Sequence, residues 1–159
     1  ADGSFLPDVL KRIALTSQAD PQDFPRILAK SFFISADMAH GYHPNFPNAY
    51  DSDHKAMLNK GPAIKVNSNH RYSSESMSAA LLIDWCNQAG VPYQSYSHRC
   101  DLTCGSTIGP IISAKLGIRS IDIGSPMWSM HSLRESAGVL DHGYLIRLLK
   151  TFFLASISA

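Results

Sequence analysis

Apolar positions recur along the chain with two different periods. In "LPDVLKRIAL", Leu6, Val9, Leu10 and Ile13 fall on one helical stripe, and Pro7 suits a first turn. "DPQDFPRILAKS" predicts a second helix, with Asp20 as its cap and Pro25 still inside the first turn. Phe32-Phe33-Ile34 begins a short apolar strand that is expected to end at Asp37. Residues 38–60 read as a long loop rich in Pro, Asn and His, and loops of that length inside a compact domain usually serve function. "AIKVN" alternates like a strand, and "PYQSYSHR" predicts another. "SSESMSAALLIDWCNQAG" predicts an amphipathic helix capped by Ser73 or Ser74 and closed by Gly90. "TCGSTIGPIISAKLG" reads as a glycine-bearing loop running into a helix that Gly117 closes. "IRSIDIG" predicts a strand that stops at "GSPMWSMHS", and a last helix covers about residues 140–156.

Strands alternating with helices imply a layered α/β sheet in one domain. In such sheets ligands gather at the carboxyl ends of strands. Asp37, the pair Arg99 and Asp101, and the segment carrying His131 all follow predicted strands. A site along one edge of the sheet is the expectation.

Composition removes several function classes. The 159 residues suit a single globular domain with a real core, and 45% hydrophobic content is ordinary. Lys+Arg numbers 14 against 13 for Asp+Glu, so no global field points to nucleic acid or an anionic membrane. No apolar run reaches the ~20 residues of a membrane helix, and no signal peptide is evident. Cys86, Cys100 and Cys104 are odd in number and read as reduced thiols of a cytoplasmic protein. The chain opens at Ala1 with the turn-like "ADGSF" and reads as a piece of something longer.

Several constellations carry candidate chemistry. Asp37, His40 and His43 offer a carboxylate and two imidazoles, the ligand types of zinc, at three-residue steps. Gly41 and Pro44 break any helix that would align them, so His40 and His43 read rather as loop histidines bonded to nearby backbone or to another subunit. Asp37 itself, directly after a buried strand, must be paired or bind an ion. Cys100 and Cys104 lack a second soft pair and read as buried thiols. "GSTIGP" before a helix offers backbone N–H groups to an anion but lacks the lysine of a nucleotide loop. Among Lys55, Lys60, Lys65 and Arg71, Lys65 alternates within a strand and points toward a site, whereas Lys55 reads as solvated surface. His131 and Glu135 are four apart and would share a face if helical.

"SADMAHGYHPN", "KGPAIKVNSNHRY", "GVPYQ", "CGSTIGPIISAKLGIRSIDIGSPMWSMHS" and "RLLKTFF" together resemble the aspartyl aminopeptidase family, which are dinuclear-zinc aminopeptidases. The match runs in order over nearly the whole chain and corresponds to the C-terminal third or so of a family member. The resemblance implies a three-layer α/β/α zinc-peptidase fold, incomplete here, with residues 1–159 as the C-terminal part of the catalytic domain. It implies Asp37 as a ligand of one zinc and His131 as a ligand of the other. Lys65 and Tyr72, with Gly105 and Ser106 of the "CGSTIG" loop, would line the substrate pocket. His40 and His43 would stand near the site and the subunit contacts, and Glu135 would support His131. The implied partners are a peptide with an N-terminal Asp or Glu and further copies of the protein, a dodecamer in the family.

The departure from the family pattern is equally specific. The family's remaining ligands are an upstream histidine, a bridging aspartate and one of two adjacent glutamates; the other glutamate is the general base. Only Glu75 and Glu135 occur here and they are not adjacent. No catalytic residue is therefore expected in this chain, which would begin just past the base. Two rivals remain: a non-catalytic metal-binding or assembly fragment built on Asp37 and His131, and a small anion-binding protein using "GSTIGP" and Lys65.

Overall fold

The computed structural model describes residues 2–17 and 20–156. Ala1, the first residue of the turn expected at the start, lies outside them. Helix α1 (Phe5–Thr16) leans on α2 (Asp23–Ala29), which leads into β1 (Phe32–His40). Then come a short 3-10 turn (Pro47–Ala49), β2 (Ala63–Val66), α3 (Ser76–Ala89), β3 (Gln94–Ser97), α4 (Ile108–Leu116), β4 (Arg119–Trp128), β5 (Ser136–Ala137) and α5 (Val139–Leu154).

The sheet order is β1-β4-β2-β3, with β5 also on β4. β4 is the hub. β1 runs parallel along it from Phe32↔Arg119 to His40↔Met127. β2 and β5 pair with it antiparallel, and β3 runs parallel to β2. Alternation sorts the two faces. Ile121 and Ile123 of β4, Ile64 of β2, and Phe32 and Ile34 of β1 pack with Leu82, Trp85 and Cys86 of α3 and Leu148 of α5. The opposite face carries Ser35, Asp37, Ser120, Asp122, Gly124 and Lys65, and α4 lies over part of it. At Gly109 of α4 a Cβ would come within 2.2 Å of Asp122 Oδ2, so only glycine lets the helix approach this closely. Helices on both faces of a mixed sheet give the expected three-layer α/β/α arrangement.

Several boundaries differ from the sequence reading. β1 continues through Asp37 to His40, because pairing with β4 supplies partners for that backbone. β4 likewise runs past Gly124 to Trp128. Gln22, not Asp20, caps α2, and Asp20 instead accepts the Gln22 N–H. Glu75 caps α3, with its N–H donated to Ser78 Oγ at 3.0 Å. Ser73 and Ser74 are otherwise engaged, both bonding to Asp122. The segment holding His131 and Glu135 is a turn rather than a helix.

Candidate functional site

The expected site forms in part: the carboxyl ends of β1 and β4 meet at one cavity, while Arg99 and Asp101 stay outside it and Lys65 joins across the face of the sheet. Because β2 and β3 run opposite to β1 and β4, their carboxyl ends point the other way, and no single edge collects all four. What gathers is a cavity of about 200 Å³. Its wall includes Asp37 and His40 of β1, Lys65 of β2, Tyr72, His98, Cys104 to Thr107, and His131.

Asp37 stands opposite Gly124 of β4, and Lys65 comes from β2 on the far side of that strand. With no side chain at Gly124, Lys65 crosses over β4 and brings Nζ to 3.6 Å from Asp37 Oδ2. The Lys65 side chain is 3% exposed and the Asp37 side chain 60%, so the pair joins a buried cation to an open carboxylate. Burial lowers the pKa of Lys65, and Asp37 and then Asp122 oppose that shift. The other Asp37 oxygen accepts the Met38 N–H at 2.7 Å.

Asp122, fully buried beneath Gly109, accepts the Ser73 N–H at 2.7 Å and the Ser73 hydroxyl at 2.8 Å through Oδ2. Its Oδ1 has no hydrogen-bond partner among the described residues. These bonds fix the chain directly after Tyr72, whose ring lies 5.6 Å from Lys65 Nζ. The Cys104 thiol donates to the Tyr72 hydroxyl oxygen at 3.3 Å. Burial, reinforced by Cys104, raises the Tyr72 pKa, so the phenol keeps its proton and remains a donor in the cavity.

His131 enters from the turn after β4 with a left-handed backbone, φ 68°. For a residue with a Cβ that conformation costs about 1–3 kcal/mol and needs support. Glu135 supplies it by accepting the His131 N–H at 2.5 Å. The glutamate thus holds the histidine's backbone and does not contact the imidazole through a helix. His40 faces the cavity beside His98, ring centroids 6.3 Å apart. Burial, then the neighbouring His98, lowers the His40 pKa below 6.5.

His43 leaves the cavity. It packs between Phe46 and Trp128, and its Nδ1 accepts the Asn45 N–H at 3.2 Å. The Asp37-His40-His43 ligand set is therefore not formed, and among the described residues no three potential ligands stand together. Arg99 and Asp101 pair with each other outside this cavity, with Arg99 Nε 2.9 Å from Asp101 Oδ1. Cys100 is exposed and Cys104 half-buried, so the expectation that these two are buried thiols fails for Cys100 and holds only in part for Cys104, while Cys86 is buried. Lys55 is exposed but lies over the Tyr42 ring at 4.9 Å. Gly105 and Ser106 line the cavity as expected. Sequence reasoning passes over Asp122, Tyr96 and His98; the signal for Asp122 is a carboxylate between two isoleucines of a strand.

Residues 1–153 match the family model described as Aminopeptidase I zinc metalloprotease (M18). The chain belongs to the M18 aminopeptidase family. A relative from Ectopseudomonas mendocina (strain ymp), named "Probable M18 family aminopeptidase 2", is 45% identical over 153 residues, 96% of this chain and 35% of its own length. A chain in the structure of the Ape4 and Nbr1 complex superposes with a TM-score of 0.93 at 45% identity, covering 96% of this chain and 29% of that one. The S. cerevisiae mApe1 dodecamer gives 0.79 at 29% identity over 96% of this chain and 33% of that one. The chain spans about a third of the length of the M18 relatives it matches.

Proposed function

We propose that the intact protein is a zinc-dependent aminopeptidase that releases N-terminal residues, preferably Asp or Glu, and that this chain forms one wall of its active site. The observation that carries the reading is the single cavity shared by Asp37, Lys65, Tyr72 and His131, contributed by separate segments of an M18 chain. Asp37 and His131 present a carboxylate oxygen and an imidazole nitrogen, a donor pair suited to zinc. Two donors are fewer than the three protein ligands of a catalytic zinc, so they fit as parts of a site and not as a whole one. In this reading each holds a different ion, with the other ligands supplied from the length of the relatives that this chain does not span. Zinc, when bound, brings the pKa of a coordinated water to about 7 and polarises the scissile carbonyl.

The chain's own residues orient and select. Lys65 offers a desolvated ammonium to a substrate carboxylate, a charge-assisted contact worth about 1.5–3 kcal/mol. Tyr72 donates its phenolic proton to a substrate oxygen. Glu135 keeps His131 turned into the cavity. Among the described residues Asp37 is the only carboxylate on the wall, and as a ligand it is not free to accept a proton, so in this reading the general base comes from elsewhere in the intact protein. Self-assembly belongs to the same reading, supported by the likeness to a dodecameric aminopeptidase.

The test compares the intact protein with the 159-residue chain on Asp-, Glu- and Leu-initiated peptides, after chelation and after zinc is restored. The intact protein should hydrolyse acidic peptides fastest and only with metal. The isolated chain should be inactive, since a positioned base contributes about 10²–10⁴-fold. Full activity from the chain alone would contradict the reading. For these 159 residues by themselves, the incomplete donor set favours the non-catalytic assembly fragment.

A further inference from the structure

A second cavity, about 310 Å³ in volume, adjoins the first and shares Thr103 and Cys104 with it. Its chemistry is different. The wall is mostly polar, with Asn67, Asn69, Arg71, Arg99 and Asp101 among its residues. Two arginines and one aspartate line the cavity. Arg99 is committed: it is bidentate to Asp101 and also donates to the Asn48 carbonyl. Arg71 is not. Its backbone carbonyl accepts from Ser106 Oγ at 3.3 Å, which ties it to the loop lining the first cavity, yet its guanidinium meets no carboxylate within 4 Å among the described residues. The cavity therefore holds one uncompensated positive charge whose planar fork suits a carboxylate.

Position decides which carboxylate. Successive residues of an extended peptide advance about 3.3–3.6 Å. Because Thr103 and Cys104 line both cavities, a peptide whose first residue sits beside Lys65 and Asp37 has a continuous wall along which to reach the second. We infer that this cavity is a subsite for the residue after the scissile bond, and that Arg71 binds a carboxylate there. The carboxylate is either the C-terminus of a dipeptide or the side chain of an acidic second residue. The inference rests on the aminopeptidase reading and adds a preference on the leaving side of the substrate.

The experiment measures kcat/KM of the intact, zinc-loaded protein on four substrates: Asp-Ala, Asp-Ala amide, Asp-Glu amide and Asp-Gln amide. In the unaltered protein at least one of the pairs, Asp-Ala over its amide or Asp-Glu amide over Asp-Gln amide, should show a ratio of about tenfold. The pair that does so identifies the source of the carboxylate. In Arg71→Gln that ratio should fall toward one, and Arg71→Lys should restore part of it. Ratios at or below one in the unaltered protein, or an undiminished ratio in Arg71→Gln, would overturn the subsite while leaving the peptidase reading intact. No hydrolysis of any of the four would overturn both.

Discussion

Lys65 Nζ lies 3.6 Å from Asp37 Oδ2 although a whole strand, β4, runs between the strands that carry them. The gap in that strand is Gly124. A Cβ there would come within 2.8 Å of Lys65 Cε and within 2.7 Å of backbone atoms of Met38 and Ala39. Gly124→Ala should therefore push Lys65 away from Asp37 and destabilise the intact protein by about 1–3 kcal/mol. Denaturant unfolding and turnover of an Asp-initiated peptide should both decline; a variant indistinguishable in both would show that Lys65 does not need this path.

Replacing Lys65 with Met keeps most of the side chain's volume and removes the ammonium. Turnover of Asp- and Glu-initiated peptides by the intact protein should fall at least about tenfold more than turnover of Leu-initiated ones. Equal losses on both classes would assign Lys65 to holding Asp37 rather than to selecting substrate.

Asp141, the third residue of α5, is fully buried and accepts the N–H groups of Asn59 at 2.6 Å and Gly61 at 2.8 Å. Asp141→Ala removes the partner of two donors, and the buried one, at Gly61, costs about 1–3 kcal/mol when left unpaired. The midpoint of unfolding should drop accordingly, and hydrogen exchange at Asn59 and Gly61 should accelerate. Exchange unchanged at both amides would count against the assignment.

The lowered pKa of His40 has a definite sign. The folded protein resists protonating this imidazole, so the unfolded chain takes up more protons as pH falls below 6.5. The contribution is present above 6.5 and is lost as pH falls through the lower folded value. His40→Gln should flatten the acid side of the stability curve of the intact protein. An identical acid limb with and without the imidazole would refute it.

The three thiols should separate by reactivity. Cys100 is exposed and Cys104 half-buried, whereas Cys86 is buried in the α3 core with its pKa pushed up to about 11. Iodoacetamide near pH 8 should modify Cys100 fastest in the folded chain and reach Cys86 only after unfolding. Early modification of Cys86, read by peptide mass mapping, would contradict this packing.

Element types were legible because the periods were. The stripe of α5, the alternation of β2 and the left-handed closures at Gly90 and Gly117 all follow from local chemistry. Strand direction was not legible: alternation is the same whichever way a strand runs, so the antiparallel step between β2 and β4 stayed hidden. That step brings Lys65 across the face of the sheet to a cavity at the carboxyl ends of β1 and β4. Asp37 and Lys65 were visible as a carboxylate and an ammonium on strands, but their meeting depends on Gly124, whose role is an absence of atoms. The sequence offers Ser73 or Ser74 as the helix cap because the same hydroxyls serve either purpose, and only the fold supplies Asp122.

The order β1-β4-β2-β3 also has a consequence for biosynthesis. β1, β2 and β3 all leave the ribosome before β4, yet β1 reaches β2 and β3 only through it. Among the described residues, β1 and the β2-β3 pair have no strand to join them until residues 119–128 emerge. Open edges are where chains pair with the wrong partner. Threading β4 between them is the event that joins the two halves, and it brings Asp37 and Lys65 together in the same moment. A ribosome stalled before Arg119 would display a chain with nearly all the cavity's residues and no cavity.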